Sequence, residues 1–222
     1  MVEVTVPVTG EHGIPLRWNA VILAGGRATR LGGVAKPLVK VRGRTMLEAA
    51  LAAAVGADRV VVVGSVPVPE GVLQTVEDPP QSGPAAGLAA GLRALDPSAP
   101  WTLVLASDLP GAEHAVPALL DVAAADPPVD GVCFHDETSH PQWMLAVYRT
   151  EALEQAVRAV DTTDLSLRRL LAPLTLRSIP GDSAAIADCD TWDDIRAADT
   201  AAVPDSSAAT ARTHTSQRRD DT

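Results

Sequence analysis

The sequence predicts an α/β fold: a single Rossmann-like three-layer domain with a mostly parallel sheet and helices on both faces. Three observations predict it. Apolar strand segments alternate with helical segments along the chain, the pattern of successive strand–helix–strand crossovers. Several strands are continuous apolar runs, as where both faces of a sheet are covered. The 222 residues suffice for one ordinary domain of this kind and are too few for two large ones.

The elements follow in order. WNAVILA (18–24) is a strand that opens into GGRATRLGG, RTMLEAALAAAV (44–55) has helical periodicity, and RVVVVG (59–64) is a buried strand. VLQTVED (72–78) is a shorter strand, and PAAGLAAGLRAL (84–95) is a helix of small residues. WTLVLAS (101–107) is a strand ending at Asp108, AVPALLDVAAA (115–125) a helix and DGVCF (130–134) a strand. QWMLAVYR (142–149) reads as strand, EALEQAVRAV and LSLRRLLA as helices, LTLRSIP as a late strand and TWDDIRAADTAA (191–202) as the last helix.

The ends differ from this body. Residues 1–17 carry Val2, Val4, Val6 and Val8 in strand-like alternation and are set off by Gly10, Gly13 and Pro15, so they read as an N-terminal extension. Residues 203–222, rich in Ser, Thr, Asp and Arg, read as a solvated, disordered tail. The domain proper is thus expected over 18–202. VEVTVPVTG lacks the charged and apolar regions of a secretory signal, and no apolar run approaches the roughly 20 residues of a membrane span. A cytoplasmic protein without membrane partners is expected.

Composition narrows the chemistry. Hydrophobic residues make up 46% but aromatics only 3%, so the core must be built from Ala, Val and Leu. The net charge of −10 disfavours nucleic acid as a partner. An anionic small substrate would need a local group of cations. Cys133 and Cys189 lack metal-ligand spacing and read as buried free thiols. His135 and His140, near Cys133, read as a solvated hairpin or acceptor-side loop, since no second Cys-His pair supports a metal cluster.

Ligands of open parallel sheets bind beyond the carboxyl ends of the strands. Three segments fall there: the Gly-rich turn at 25–33, Glu77-Asp78, and Ser107-Asp108. Gly25 and Gly26 can bring backbone N–H groups close to a phosphate because no Cβ intervenes. Arg27, Arg30 and Lys36 add positive charge in the same loop, and Lys40, Arg42 and Arg44 follow. The loop lacks both the Gly-Lys-Ser/Thr ending of a P-loop and the dinucleotide Gly-x-Gly-x-x-Gly pattern, which disfavours P-loop kinases and dehydrogenases. Asp108, just beyond an apolar strand, can face the crevice and offer Mg²⁺ a hard oxygen, or else cap the next helix. In GPAAGLAAG (83–91), Gly83-Pro84 shapes the entry, while Gly87 and Gly91 permit close packing on the sheet. Asp188 and Asp190 stand just before the last helix, able to cap it or to complete a metal site.

LAGGRATRLGGVAKPL, EDPPQSGPAAGLAAG, LASDLP and DCDTWDDI, in that order, make the chain resemble the molybdenum cofactor guanylyltransferase family of nucleotidyltransferases from Trp18 to Ala202. The resemblance implies that Leu23, Ala24, Gly25 and Gly26 line the nucleotide, with Arg27 in the same loop and Arg30 and Lys36 on the phosphates. It puts Asp78 near the guanosine, Gly83, Pro84 and Gly87 around the base, and Asp108 on Mg²⁺, with Asp188 or Asp190 (we take Asp190) completing the metal site. Lys36, Arg30 and Asp108 are then the expected catalytic residues, Mg²⁺ the cofactor, and GTP with a phosphorylated acceptor the partners. The chain departs from the family at Ala35, where Asp is usual before the lysine. It departs again at Asp188 and Asp190, where Asn is usual, and at Gly64-Ser65, where Asn often follows the second strand. All three lie where nucleotide or acceptor is held. The alternatives are a sibling transferase using CTP or another phosphorylated acceptor, and a catalytically silent nucleotide-binding module. A sugar-phosphate nucleotidyltransferase is weakened by the short chain.

Overall fold

The computed structural model describes residues 16–25, 34–95 and 99–200. Nearly all of the 1–17 extension, the 203–222 tail, and Gly26, Arg27 and Arg30 of the glycine turn lie outside the described residues.

Seven strands form the main sheet: β1 (Trp18–Leu23), β4 (Val60–Val63), β5 (Leu73–Thr75), β6 (Trp101–Ala106), β7 (Gly131–His135), β8 (Pro141–Arg149) and β9 (Leu176–Pro180). Their order is β5-β4-β1-β6-β8-β7-β9. All neighbours pair in parallel except around β8, which runs antiparallel to both β6 and β7. The sheet is therefore mostly parallel, as the alternation predicts.

Helices cover both faces. On one side α1 (Met46–Ala53), α3 (Ala112–Ala124) and α6 (Ser183–Ile186) enclose a core with Ala20, Ile22, Leu103 and Leu105. On the other, α2 (Pro84–Ala94), α4 (Thr150–Arg158) and α5 (Leu167–Leu171) enclose Val21, Val61, Val63 and Val104. Ala20 and Ile22 go one way and Val21 the other, the period-2 alternation of a strand buried on both faces. Both cores are mostly aliphatic, as the composition requires. Close packing on the second face depends on Gly91 of α2, where a Cβ would stand 2.6 Å from Val21 and 3.1 Å from Val63. α7 (Trp192–Thr200) lies outside these layers, against a small ribbon of β2 (Lys40–Val41) and β3 (Arg44–Thr45).

That ribbon corrects one expected boundary. Helical periodicity from Arg44 predicted a helix there, but Arg42 and Gly43 turn the chain with positive φ and Arg44–Thr45 pair back on β2. The helix starts at Met46, where Thr45 and Glu48 form a capping box that satisfies its first donors. α3 starts three residues before the expected Ala115 and keeps Pro117 inside it.

Candidate active site

β1 is the pivot of the sheet. The chain leaves it to build β4 and β5 on one side, then crosses to β6 on the other, so the strand order reverses between β1 and β6. At such a point the loops after the two strands diverge and leave a crevice. The register pairs Leu23 with Ala106, which sets Gly25 beside Asp108. Ser107 N–H donates to Leu23 C=O at 3.0 Å and Ala24 N–H to Val63 C=O at 2.8 Å, tying the three strand ends together. β4 can come this close because residue 64 is glycine: at its φ of +150° a Cβ would lie 2.7 Å from the Ala24 carbonyl oxygen.

Beyond these strand ends lies a cavity of about 420 Å³. Leu23, Gly25 and Val63 line it from β1 and β4, and Ala106, Ser107 and Asp108 from β6. Lys36 and Pro37 close one side, Glu77, Gln81, Gly83, Pro84 and Gly87 the other, and Met144 reaches in from β8. Of the expected nucleotide residues, Leu23, Gly25, Lys36, Gly83, Pro84 and Gly87 meet here. Ala24 does not: it is buried in the core, because side chains alternate and its neighbours take the cavity side. Asp78 does not either. It is exposed and absent from the cavity wall, whereas Glu77, singled out by its place after a strand and then given no role, lines it.

The charged end is built from three distant segments. Lys36 opens a short 3₁₀ turn (Lys36–Leu38) anchored by buried Pro37. Its Nζ donates to Asp108 Oδ2 at 2.5 Å and to Asp190 Oδ1 at 2.6 Å. Cys189 N–H donates to Asp108 C=O at 3.0 Å, which staples the 188–190 segment to the turn after β6. Burial alone would lower the Lys36 pKa, but the hydrogen bonds and charges of Asp108 and Asp190 outweigh it, and the ammonium is held above its ordinary range. Loss of solvation, then the charges of Asp190 and Asp108, pushes the Asp188 carboxyl up.

Other residues close the neighbouring helices. α3 begins beyond Gly111, leaving Asp108 to Lys36. α7 is closed by Thr191 and Asp194, each accepting the other's backbone N–H. Asp108 and Asp190 are thus two hard-oxygen donors converging on one cation. Among the described residues no group of three or more His, Cys, Asp and Glu could hold a metal ion. Mg²⁺ does not require one, since it is commonly bound by one or two carboxylates together with substrate phosphates and water. The donor set fits such an ion.

A second cavity, also about 420 Å³, adjoins this end through Asp188. The hairpin after β7 supplies Asp136, Glu137, Thr138 and Gln142, and the α6 region Gly181, Ser183, Ile186 and Ala187. The hairpin is self-satisfied: Asp136 Oδ1 accepts from Thr138 N–H at 2.8 Å and His140 N–H at 2.9 Å. Cys133 and Cys189 are both buried and free.

Residues 20–179 match the family model of the MobA-like NTP transferase domain. The chain belongs to this family. It is 36% identical over 144 residues to a molybdenum cofactor guanylyltransferase of Acidiphilium cryptum, an alignment that spans 62% of this chain and 71% of that protein. Two solved structures share the fold. A Mycobacterium tuberculosis protein in complex with manganese superposes with a TM-score of 0.61 at 21% identity, over 82% of this chain and 97% of that one. The 2-C-methyl-D-erythritol 4-phosphate cytidylyltransferase of Thermus thermophilus also superposes with a TM-score of 0.61, at 19% identity, over 83% of this chain and 98% of that one. The MobA-like chain is therefore a nucleotidyltransferase, and no helix among its described residues is long and apolar enough to cross a membrane.

Proposed function

We propose that this nucleotidyltransferase moves GMP from GTP to a phosphorylated acceptor of the molybdopterin type and releases pyrophosphate, with Mg²⁺ or a similar divalent ion. The observation that carries the reading is the Lys36 ammonium set between Asp108 and Asp190 on the wall of a nucleotide-sized cavity at the switch point of the sheet. The relative from A. cryptum supports the acceptor and the base. The manganese complex of the M. tuberculosis protein supports a divalent ion.

In the proposed reaction an oxygen of the acceptor phosphate attacks the α-phosphorus of GTP. A new P–O bond forms, the bond between the α-phosphorus and its bridging oxygen breaks, and the electron pair leaves with pyrophosphate. An ionised phosphate is already a nucleophile, so no general base is needed. Catalysis is then positioning and charge neutralisation. Lys36 binds the phosphates and offsets the charge that develops on them. Asp108 and Asp190 would hold the divalent ion, which supplies further neutralisation when bound. Gly25 leaves backbone room for the phosphates, and Leu23, Gly87 and Pro84 exclude water from the nucleoside. Arg30 and Arg27, outside the described residues, are proposed to add charge from the glycine turn. The second cavity, reached through Asp188, is the proposed acceptor side.

A CTP-using sibling is the second reading. The shared fold of the cytidylyltransferase favours it, as do the aspartates at 188 and 190 where guanylyltransferases favour Asn. Incubation with molybdopterin-bound molybdate, Mg²⁺ or Mn²⁺, and either GTP or CTP separates the two by the mass of the product. A guanine dinucleotide is the expected result. Turnover only with CTP moves the assignment to the sibling, and no metal-dependent turnover with either nucleotide overturns the reading.

A further inference from the structure

The cavity is lined by residues that follow strands from β5 to β6, and the two sides differ in chemistry. Lys36 and Asp108 stand by the end of β6, and Glu77 follows β5 at the far edge of the sheet. β5 and β6 are separated by three strand spacings, about 14 Å at 4.8 Å per strand. An extended nucleoside triphosphate with its phosphates at Lys36 therefore brings its base to Glu77. The surfaces between fit a nucleoside, being small and apolar at Leu23, Val63 and Gly87.

Glu77 is held in place. Its Oε1 accepts the Gln81 N–H at 2.9 Å, across the turn that contains the cis Asp78–Pro79 bond. The far side of that turn is fixed in turn: Ser82 Oγ donates to Pro79 C=O at 2.5 Å, and Ser82 C=O accepts from Asp164 N–H at 2.7 Å. Lys36 is the only basic side chain among the described residues of the wall, and it serves the other end.

An ionised carboxylate only accepts hydrogen bonds. It therefore selects the base edge with adjacent donors. Guanine offers two side by side, N1–H and the 2-amino group. Cytosine offers a single amino group beside an acceptor nitrogen, adenine likewise, and uracil an N–H flanked by carbonyls that a carboxylate repels. We infer that Glu77, and not Asp78, is the specificity-determining residue for the base, pairing through its carboxylate with N1–H and the 2-amino group of guanine. This rests on the nucleotidyltransferase reading above and deepens it, since it says why GTP is chosen over CTP.

Calorimetric titration of the full chain with GTP, ITP and CTP in the presence of Mg²⁺ tests it, because ITP keeps N1–H and lacks the 2-amino group. Wild type is expected to bind GTP at least about tenfold more tightly than ITP, and more tightly still than CTP. Glu77→Ala is expected to weaken GTP at least about tenfold and bring the GTP/ITP ratio close to one. Glu77→Gln, equal in shape, guards against a folding defect and should show the same collapse of the ratio. Asp78→Ala should change neither quantity by more than about twofold. A ratio that survives both Glu77 variants, a ratio lost in Asp78→Ala, or a wild type that prefers CTP each overturns the base assignment. Binding of none of the three triphosphates overturns the nucleotidyltransferase reading as well, and so separates the two failures.

Discussion

The two ends of the cavity are built in opposite ways. The end at Lys36 is assembled by charge: an ammonium and two carboxylates from three segments more than 70 residues apart meet within 2.6 Å. The end at Glu77 is assembled by packing and backbone bonds, with Gly91 letting α2 lie on β1 and β4 and the 77–83 turn tied to the 162–165 loop. A charged end can be disabled without disturbing the fold, because its members are partly solvated side chains on the rim of a finished sheet. A packed end cannot, since the same contacts that shape it hold a helix to the sheet.

The largest expected effect follows from that difference. Asp108→Ala and Lys36→Ala should each lower turnover at least about a hundredfold, the usual loss when a charged contact to a developing charge is removed. Thermal unfolding should stay within a few degrees of wild type, at about 2–4 °C per kcal/mol for a chain of this size. Pyrophosphate release and a melting curve on the same preparation check both. Loss of activity caused by unfolding would break the comparison, since the charged end would then be part of the scaffold.

Asp190→Ala should come next, with a loss of about tenfold. Its side chain is 46% exposed against 22% for Asp108, so water can replace more of what it gives. Equal losses for the two acids would show that solvent does not soften the outer partner, and single-turnover rates at saturating nucleotide measure the difference.

The two ends were not equally legible in the sequence. Lys36 and Asp108 stood out because cations and a carboxylate directly after apolar strands have few other uses in an acidic chain. The choice between Asp188 and Asp190 was not decided by spacing. In the fold, the burial of Cys189 against Val39, Val41, Met46 and Ile195 and its N–H bond to Asp108 accompany an Asp190 that pairs with Lys36. At the other end the resemblance singled out Asp78, whereas its neighbour Glu77 lines the cavity, because which of two adjacent residues borders a cavity depends on the phase of the chain leaving β5. The reversed direction of β8 was hidden for a related reason: an apolar run reads the same whichever way it is crossed, and only its pairing with both β6 and β7 shows it.

Packing at the Glu77 end can be sharpened with Gly91→Val. The new Cβ would meet Val21 and Val63 on the floor of α2, and overpacking of this kind costs about 1–3 kcal/mol. The melting temperature should fall by several degrees, at about 2–4 °C per kcal/mol. In the folded fraction, KM for the nucleotide should rise while kcat changes little, since the α2 wall of the cavity shifts and the charged end stays. A drop in kcat at unchanged KM would mean that the two ends are coupled through α2.

Thiol labelling, which leaves activity untouched, probes whether the charged end is already assembled before any substrate arrives. Burial, then the charges of Asp194 and Asp108, pushes the Cys189 thiol up to about 11. At pH 8 about one thiol in a thousand is then the reactive thiolate, and the sulfur is buried besides. Native protein should therefore label with iodoacetamide at Cys189 at least about a hundredfold more slowly than unfolded protein, read by mass spectrometry of the 189 peptide. Slow labelling means that the 188–190 segment stays stapled to the turn after β6, so Asp190 is in place beside Lys36 from the start. Fast labelling at Cys189 with Cys133 still protected would mean that this segment opens by itself, and the charged end would then be completed by its substrate rather than by the fold.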